Sequence, residues 1–353
     1  MILTLVGVSY GTLDASARRA RGIGADVFVR PPGSSALSLS SAPMSEKTTA
    51  ILTAMPGVAL ATGTMVQALS GPFETIQGVD FPTMNKMAST WRAPGDPVKG
   101  GFKFLEGGPF QQDDDIIVDE YYAKQKKVHV GDHLKLINHS WRVAGIYEAG
   151  KLARILAPMQ TLQRLTGNEG KISAIYLKLK DPAHADAFVN NLKHVLNPND
   201  PDHGYQIMTV EEFTSQLTVS SVTILKVFIN VVIGVASIVG FIVVFMAMYT
   251  AVLERTREIG ILKAVGAGTG YILNILFRET IILALVGTVF GILLTYGTQW
   301  IMLQAVPATL TQQTVYKWWP IAGLIAIFGA LLGTVVPAAR AVKQDATEAL
   351  SYE

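Results

Sequence analysis

The sequence predicts an α-helical membrane protein with four transmembrane helices, the first of them truncated, and with an α/β domain inserted on the extracytoplasmic side. One observation behind this is a shortage of charge: the 353 residues are 50% hydrophobic but only 16% charged, whereas soluble domains are about a quarter charged. A second is that the shortage is local, because residues 221–353 hold only 8 of the 29 basic and 6 of the 27 acidic residues. Residues 1–220 therefore have the charge density of a soluble domain.

Composition and motifs exclude several classes of function. A formal net charge of +2 gives no basic surface of the kind that binds nucleic acid. The absence of cysteine excludes disulfides, thiol catalysis and cysteine metal ligands. No phosphate-binding GxxxxGK[ST] sequence occurs, since Lys151 and Lys171, the two lysines that follow a glycine, precede an aliphatic residue. We therefore predict no catalytic residue, no metal ligand and no cofactor bound by this chain.

Three long apolar segments are the predicted transmembrane spans. Residues 227–253 contain no charged side chain and are bracketed by Lys226 and Glu254. At about 1.5 Å per residue they form roughly 40 Å of helix, enough to cross a hydrocarbon core ~30 Å thick with some tilt. Residues 280–306 and 318–339 are two further spans of the same kind.

Small residues recur in these spans at a spacing of four. Such pairs let helix backbones approach closely where lipid supplies no hydrophobic drive for association. They favour a packed bundle over isolated anchors, and the pairs are Ala236 with Gly240, Gly287 with Gly291, and Gly329 with Gly333.

The distribution of lysine and arginine predicts the orientation in the membrane. The connection after the first complete span holds Arg255, Arg257 and Lys263, whereas residues 303–317 hold only Lys317. By the positive-inside rule, that first connection and the C-terminal tail are cytoplasmic. Because the chain changes side with each span, the first 220 residues then lie mostly on the extracytoplasmic side.

Residues 1–24 admit three interpretations. The first 13 residues are mainly apolar but reach only about 20 Å as a helix, which is too short to span. One interpretation is a partial first transmembrane helix with an exit segment, and this gives the four-span topology. Another is a signal peptide cleaved near Ala15-Ser16-Ala17, although it lacks a basic start. The third is a strand or an interfacial helix that does not span.

Residues 25–220 have the patterning of a soluble α/β domain. An apolar period of 3.6 residues predicts a helix from His184 to Leu196. Residues 211–225 are predicted to form a helix that continues directly into the first complete span. Apolar residues in alternation or in short runs predict strands, and these include 25–29, 58–66, 116–118 and 172–179.

The connection between the first two complete spans is the candidate functional site. It reads ERTREIGILKAVGA from Glu254, and as a helix it places Glu254 and Glu258 one turn apart. Its apolar residues could pack into a groove on a partner, and they are Ile259, Leu262 and Val265. The alternative is a basic stop-transfer loop without a partner.

This connection resembles the signature of FtsX-like permease domains, found in MacB-type (type VII) ABC transporter permeases. The tail, Pro337–Ala341 with Glu348–Glu353, resembles the PAxRA…EALRYE ending of that family, with Ser351 where arginine is usual. A predicted hairpin over residues 130–146 resembles the VGD…FRVVGI segment of the family's periplasmic core domain. The resemblance covers nearly the whole chain.

The resemblance implies that the connection couples this chain to an ATPase. Glu279, early in the next span, is similar to an acidic residue common there; alternatively its side chain reaches the inner interface near Arg278. The residues that match the coupling motif are Glu254, Arg255, Thr256, Arg257, Glu258, Ile259, Gly260, Leu262, Lys263 and Gly266.

The resemblance also implies an architecture and partners. Residues 25–220 would be a MacB-like periplasmic core domain and residues 221–353 an FtsX-like permease domain, together a four-helix transmembrane permease in the bacterial cytoplasmic (inner) membrane. Two permeases, identical or different, would assemble with two separate ABC ATPase subunits that hold ATP and Mg²⁺. A periplasmic membrane-fusion adaptor and the lipid bilayer are the further partners, and nucleic acid is not one.

The mechanism implied by the resemblance is mechanotransmission, in which ATP-driven movement of the coupling segment displaces substrate at the extracytoplasmic side. Three uses of this mechanism stay open. They are efflux or export, release of lipoproteins, and FtsX-like signalling to cell-wall hydrolases without cargo.

Overall fold

The computed structural model describes most of the chain, and its described ranges are 1–32, 44–69, 74–91, 100–197, 204–221, 223–306 and 308–343. Within them the protein forms two compact units. The one that we call the membrane unit comprises Met1–Tyr10, Thr223–Ile301 and the described residues from Gln312 onward. The α/β unit comprises the described residues of Gly11–Val222 together with Met302–Thr311.

The helices of the described ranges vary from short, capped segments to long apolar ones. In chain order they are α1 (Ile2–Arg21), α2 (Lys47–Thr53), α3 (Phe81–Ala88), α4 (Glu120–Lys126), α5 (Met159–Thr166), α6 (Ala185–Leu196), α7 (Val210–Gln216), α8 (Thr223–Glu254), α9 (Thr256–Ala264), α10 (Thr269–Ala305) and α11 (Trp318–Lys343). Side-chain caps fix some of the starts: the Asp119 carboxylate accepts from the Tyr122 N–H before α4, and the Thr209 hydroxyl accepts from the Glu212 N–H before α7.

The strands are β1 (Val27–Arg30), β2 (Met44–Ser45), β3 (Val58–Ala68), β4 (Thr75–Val79), β5 (Phe104–Gly107), β6 (Asp115–Asp119), β7 (His133–Leu136), β8 (His139–Tyr147), β9 (Ile155–Pro158), β10 (Lys171–Ile172), β11 (Ala174–Leu179) and β12 (Gln206–Thr209). Among the described residues ten of them form one sheet, in the order β12-β1-β11-β3-β4-β9-β6-β8-β5, with β7 beside β8. The pairs β4–β9 and β6–β8 are parallel, and the other pairs of this mixed sheet are antiparallel.

Helices cover both faces of this sheet, and β6 shows the consequence for the sequence. All five of its residues are buried. Ile116 and Val118 belong to one hydrophobic cluster with Leu162 of α5, whereas Ile117 belongs to a second cluster with Met84 of α3. A strand buried on both faces reads as a continuous apolar run rather than as an alternation.

The strand and helix predictions for this unit are confirmed with small shifts at their ends. Predicted strands 25–29, 58–66 and 116–118 correspond to β1, β3 and β6, and the predicted helix 184–196 corresponds to α6. The predicted strand over 172–179 is divided between β10 and β11. It breaks at Ser173, whose hydroxyl accepts from the Val66 N–H at 3.0 Å.

The predicted continuous helix over residues 211–225 is wrong, since α7 and α8 are separate helices with turns between them. We call residues 217–221 the hydroxyl turn. The Ser221 hydroxyl lies 2.7 Å from the Thr218 hydroxyl and donates to the Ser215 carbonyl oxygen at 3.3 Å. Hydroxyl side chains that bond locally offer the backbone an alternative to the helical ladder, which accounts for the break.

Residues 2–21 form α1, so the interpretation of the first residues as a strand is wrong. Three helices within the described ranges are long and apolar enough to cross a membrane, and they are Leu225–Glu254, Thr269–Ala305 and Trp318–Val342. The α1 helix carries Asp14 and three arginines near its end and is not among them. The four-span count and the partial first helix remain predictions.

Within the membrane unit, α11 packs closely on α8 at Gly333. A Cβ atom on Gly333 would lie 3.1 Å from the Phe241 carbonyl oxygen and 3.1 Å from the Phe245 backbone nitrogen. Helix α10 joins through the buried hydroxyls of Thr280 and Thr334, which are 2.9 Å apart. Of the small residues predicted to pack helices, Gly333 does so within this chain.

The other small residues line an apolar groove of about 450 Å³ in the membrane unit. A Cβ atom added to any of the four glycines among them would meet no atom within 4 Å. Their packing role therefore stays a prediction, and they are Ala236, Gly240, Gly287, Gly291 and Gly329.

A buried carboxylate anchors the start of β6. Asp115 is fully buried and accepts two bonds from the Arg142 guanidinium, at 2.7 and 3.0 Å. It also accepts from the backbone N–H groups of Gln111 and Gln112 at 3.0 Å each. Although burial opposes its ionisation, these four donors hold the pKa of Asp115 below its usual range.

We predict that Asp115→Asn lowers the free energy of unfolding by about 2 kcal/mol at pH 7, since hydrogen bonds to a charged group are lost. Because the pKa of Asp115 is depressed in the folded state, its contribution is present above the unfolded pKa of about 4 and is lost as the pH falls through the folded value. The difference in free energy of unfolding between Asp115→Asn and the wild type should therefore become smaller at acidic pH. Denaturant unfolding of the full chain in detergent measures it.

The matched control is Asp113→Asn, two residues earlier. The Asp113 side chain is 80% exposed and lies 3.8 Å from Arg164, and exposed pairs contribute little. Equal losses in the two variants would contradict the role assigned to Asp115.

We further predict that Gly333→Ala destabilises the bundle by about 1–3 kcal/mol, because the added methyl group meets the backbone of α8 and the two helices must separate. Gly329→Ala, in the same GxxxG pair, places its methyl group in open space. Both variants gain the same helix propensity, so the difference between their stabilities reports the contact of residue 333 with α8. Thermal unfolding of the detergent-solubilised chain compares them, and equal stabilities would refute the close packing at Gly333.

Candidate functional site

The predicted coupling segment forms a helix of its own, α9, between α8 and α10. Arg255 stands between α8 and α9 with a non-helical backbone, at φ −96° and ψ 12°. The Thr256 hydroxyl donates back to the carbonyl oxygens of Val252 and Leu253, at 3.1 and 2.8 Å. The chain therefore turns within one residue from a long apolar helix into a short helix.

Gly266 ends α9, and its backbone explains why glycine stands there. Its φ is +97°, a left-handed conformation that side chains oppose. The Gly266 N–H donates to the Lys263 carbonyl oxygen at 3.0 Å, and the Ala267 N–H donates to the Leu262 carbonyl oxygen at 2.9 Å. This pair of bonds is the Schellman arrangement that closes helix C-termini.

One face of α9 is seated against the rest of the membrane unit. Ile259 and Gly260 are buried. Ile259 belongs to a hydrophobic cluster that also contains Met248 of α8, Ile272 of α10 and Ala338 of α11. The ends of three long helices thus hold this short one in place.

An ion pair fastens the start of α9 to α10. The Arg255 guanidinium donates from Nη1 to both carboxylate oxygens of Glu279, at 3.1 Å each. Glu279, the acidic residue singled out early in the second complete span, therefore pairs with a residue 24 positions earlier in the sequence. Arg255 itself is engaged within the chain.

Two further polar contacts involve the end of α11. The Lys263 ammonium donates to the Val342 carbonyl oxygen. The Arg340 guanidinium donates to the Tyr249 hydroxyl and lies 5.2 Å from the centre of its ring. Sequence reasoning missed these contacts, since nothing in the local pattern connects positions 79 and 91 residues apart.

The opposite face of α9 is exposed and largely apolar. Val265 is 85% exposed, and Ile261 and Leu262 are exposed as well. The prediction had grouped Ile259 with Leu262 and Val265, but Ile259 points inward and Ile261 takes its place. Charged side chains surround this face and are exposed, namely Glu254, Arg257 and Glu258.

The exposed surface of α9 combines apolar and charged side chains on a short helix that is fixed on its other face. A helix of this form can enter a groove on a partner protein. Among the residues that the structure describes, no three His, Cys, Asp or Glu side chains are grouped so as to hold a metal ion.

Two family descriptions match this chain. The family description "MacB-like periplasmic core domain" matches residues 1–195, and the description "FtsX-like permease C-terminal" matches residues 230–346. The two matches together take in the candidate site and nearly all of the chain.

Similar proteins carry corresponding names. An "Uncharacterized ABC transporter permease MJ1507" of Methanocaldococcus jannaschii is 30% identical over 65% of this chain and 59% of its own length. A "Macrolide export ATP-binding/permease protein MacB" of Escherichia coli is 25% identical over 72% of this chain and 41% of its own length. The chain thus spans 59% and 41% of these two relatives. The periplasmic region of MacB from Actinobacillus actinomycetemcomitans covers 56% of this chain and 94% of its own, with a TM-score of 0.41 at 14% identity.

Proposed function

Because the chain belongs to the MacB/FtsX-type family of ABC transporter permeases, we propose that it is a permease subunit that couples ATP hydrolysis by a separate ATPase to export or extraction of substrate at the extracytoplasmic side. It works by mechanotransmission: movement imposed on α9 is passed to the α/β unit. The observation that supports this most directly is that α9 is seated on one face and exposed on the other.

The route of this movement follows α10. Helix α9 precedes the N-terminal end of α10, and Arg255 and Glu279 connect them. At the other end, residues 302–311 belong to the α/β unit. There the Ala308 N–H donates to the Gln125 side-chain oxygen at 2.9 Å, and the Gln125 amide donates to the Thr309 hydroxyl at 3.1 Å. A displacement of α9 thereby reaches a segment that is bonded to α4.

The partners in this proposal are those that membership of the family implies. A neighbouring ATPase, which holds ATP and Mg²⁺, docks on the outward face of α9. A second copy of the permease, or a related one, and the lipid of the bacterial inner membrane cover the exposed apolar side chains of α8 and α10. A periplasmic adaptor on the α/β unit completes the assembly.

We predict that α9 and the α/β unit lie on opposite sides of the membrane. The chain has no cysteine, so a single introduced thiol reports one position. Val195→Cys, at an exposed site of α6, should react with a membrane-impermeant maleimide in cells whose inner membrane is intact. Val265→Cys should react only after that membrane is permeabilised. Equal labelling of both positions in intact cells would refute this topology.

We predict that Val265→Asp reduces ATPase capture at least tenfold, because it places a charge at the most exposed apolar residue of the docking face. The tagged chain is purified from membranes with its neighbouring ABC ATPase, and ATP hydrolysis in the eluate is measured. Val195→Asp is the matched control, since it changes an exposed valine in the α/β unit to the same residue. Capture that Val265→Asp leaves unchanged would overturn the docking role of α9.

A further inference from the structure

The α/β unit contains a cavity of about 520 Å³ to which the proposed coupling mechanism assigns no ligand. Its lining includes residues of the second half of α1, of the sheet, of α7 and of the segment 308–311. Pockets of roughly 300–1,000 Å³ hold drug-sized ligands in proteins. The cavity is therefore large enough for a small organic molecule.

Aromatic side chains form an apolar wall of this cavity. Phe28 stacks on Tyr176 with ring centres 4.8 Å apart, and the ring of Phe213 lies 5.1 Å from that of Phe28. All three line the cavity together with aliphatic residues such as Leu13 and Ile23. Such a wall favours the apolar body of a ligand.

Arg19 supplies a positive charge to the same cavity. The last turns of α1 hold three arginines, of which Arg18 and Arg21 reach the Asp14 carboxylate, at 3.0 and 3.9 Å. Arg19 instead lines the cavity and donates from Nη2 to the Ser16 hydroxyl at 3.0 Å. In the described ranges no carboxylate lies within 4 Å of its guanidinium.

The other charged side chains of the lining also have contacts within the chain. Two of them form ion pairs, and one lies close to an aromatic ring. Arg154 is 2.8 Å from Asp119, and Glu74 is 2.9 Å from Lys126. Arg30, which is buried, lies 5.7 Å from the centre of the Phe28 ring. Among the described lining residues, the charged side chains are three arginines and one glutamate, which is an excess of positive charge.

This excess has an electrostatic cost that an anion would offset. Burial, with repulsion by Arg154, lowers the pKa of Arg19 to about 10, and the weaker attraction of Asp119 opposes this shift. The Arg19 guanidinium therefore remains protonated at neutral pH. Burial likewise lowers the pKa of Arg30. A charged group out of water is unfavourable unless an opposite charge and hydrogen bonds replace its hydration.

We propose that this cavity is a binding site for a small organic anion with an apolar body. The anionic group pairs with the Arg19 guanidinium, and the body lies on the wall of Phe28, Tyr176 and Phe213. The inference concerns the α/β unit alone and does not depend on ATPase coupling.

The test uses two fluorescent probes that differ in one anionic group. Anilinonaphthalene sulfonate carries a sulfonate, and phenylnaphthylamine is its uncharged counterpart. Each is titrated into the full chain in phosphatidylcholine nanodiscs, with empty nanodiscs subtracted. We expect saturable binding of the anionic probe, which Arg19→Gln weakens at least tenfold while changing binding of the neutral probe less than twofold.

Arg18→Gln is the matched control, since it removes a neighbouring arginine that faces Asp14, and it should bind both probes like wild type. Arg19→Lys keeps the charge and should retain anionic binding within about threefold. The proposal is overturned if the chain shows no saturable binding of the anionic probe above that of empty nanodiscs. It is also overturned if Arg18→Gln and Arg19→Gln lose the same affinity for the anionic probe, or if Arg19→Gln loses the same affinity for both probes.

A cavity-filling variant keeps the proposal testable should Arg19→Gln fail to fold. Ala15 lines the cavity on α1, and Ala15→Trp should block both probes while the protein elutes as a folded species. Undiminished binding of the anionic probe in Ala15→Trp would place that probe elsewhere and overturn the proposal.

Discussion

Ile259 and Gly260 hold α9 against the ends of α8, α10 and α11, and the proposed coupling depends on this contact. Without it, a nine-residue helix at a membrane surface would have few interactions of its own, since short helices are marginal in water. With it, the ion pair of Arg255 and Glu279 and the bond from Lys263 to α11 have fixed partners. Force on the outward face is then borne by three helices at once.

The long helices and most of the sheet could be predicted from the sequence, because their signals are dense. A charge-free run such as 227–253 has one stable form in lipid, where every backbone group must bond within its own segment. The run 116–118 in β6 is similarly unambiguous, since both of its faces are buried. In each case the local pattern and the tertiary environment demand the same structure.

The failures occurred where local and tertiary preferences compete. The sequence predicts one helix over residues 211–225, but the local bonds of Thr218 and Ser221 interrupt it. Residues far away in sequence determine which face of α9 is buried. The sequence alone therefore could not show that Ile259 is buried and Ile261 exposed. Arg19 resembled one of several arginines flanking a span, and only the fold separates it from Arg18 and Arg21.

The hydroxyl turn has a mechanical consequence for the chain that enters the membrane there. A continuous helix transmits torque, because twisting one end strains every hydrogen bond along it. Residues 217–221 have no such ladder, and their side-chain bonds to hydroxyls can be exchanged for others of about 1 kcal/mol each. A backbone ladder therefore does not carry twisting strain through residues 217–221, whereas α1 is uninterrupted from Ile2 to Arg21. An unbroken ladder of backbone hydrogen bonds is therefore a property of α1 and α10, and not of residues 211–225, for which the sequence predicted it.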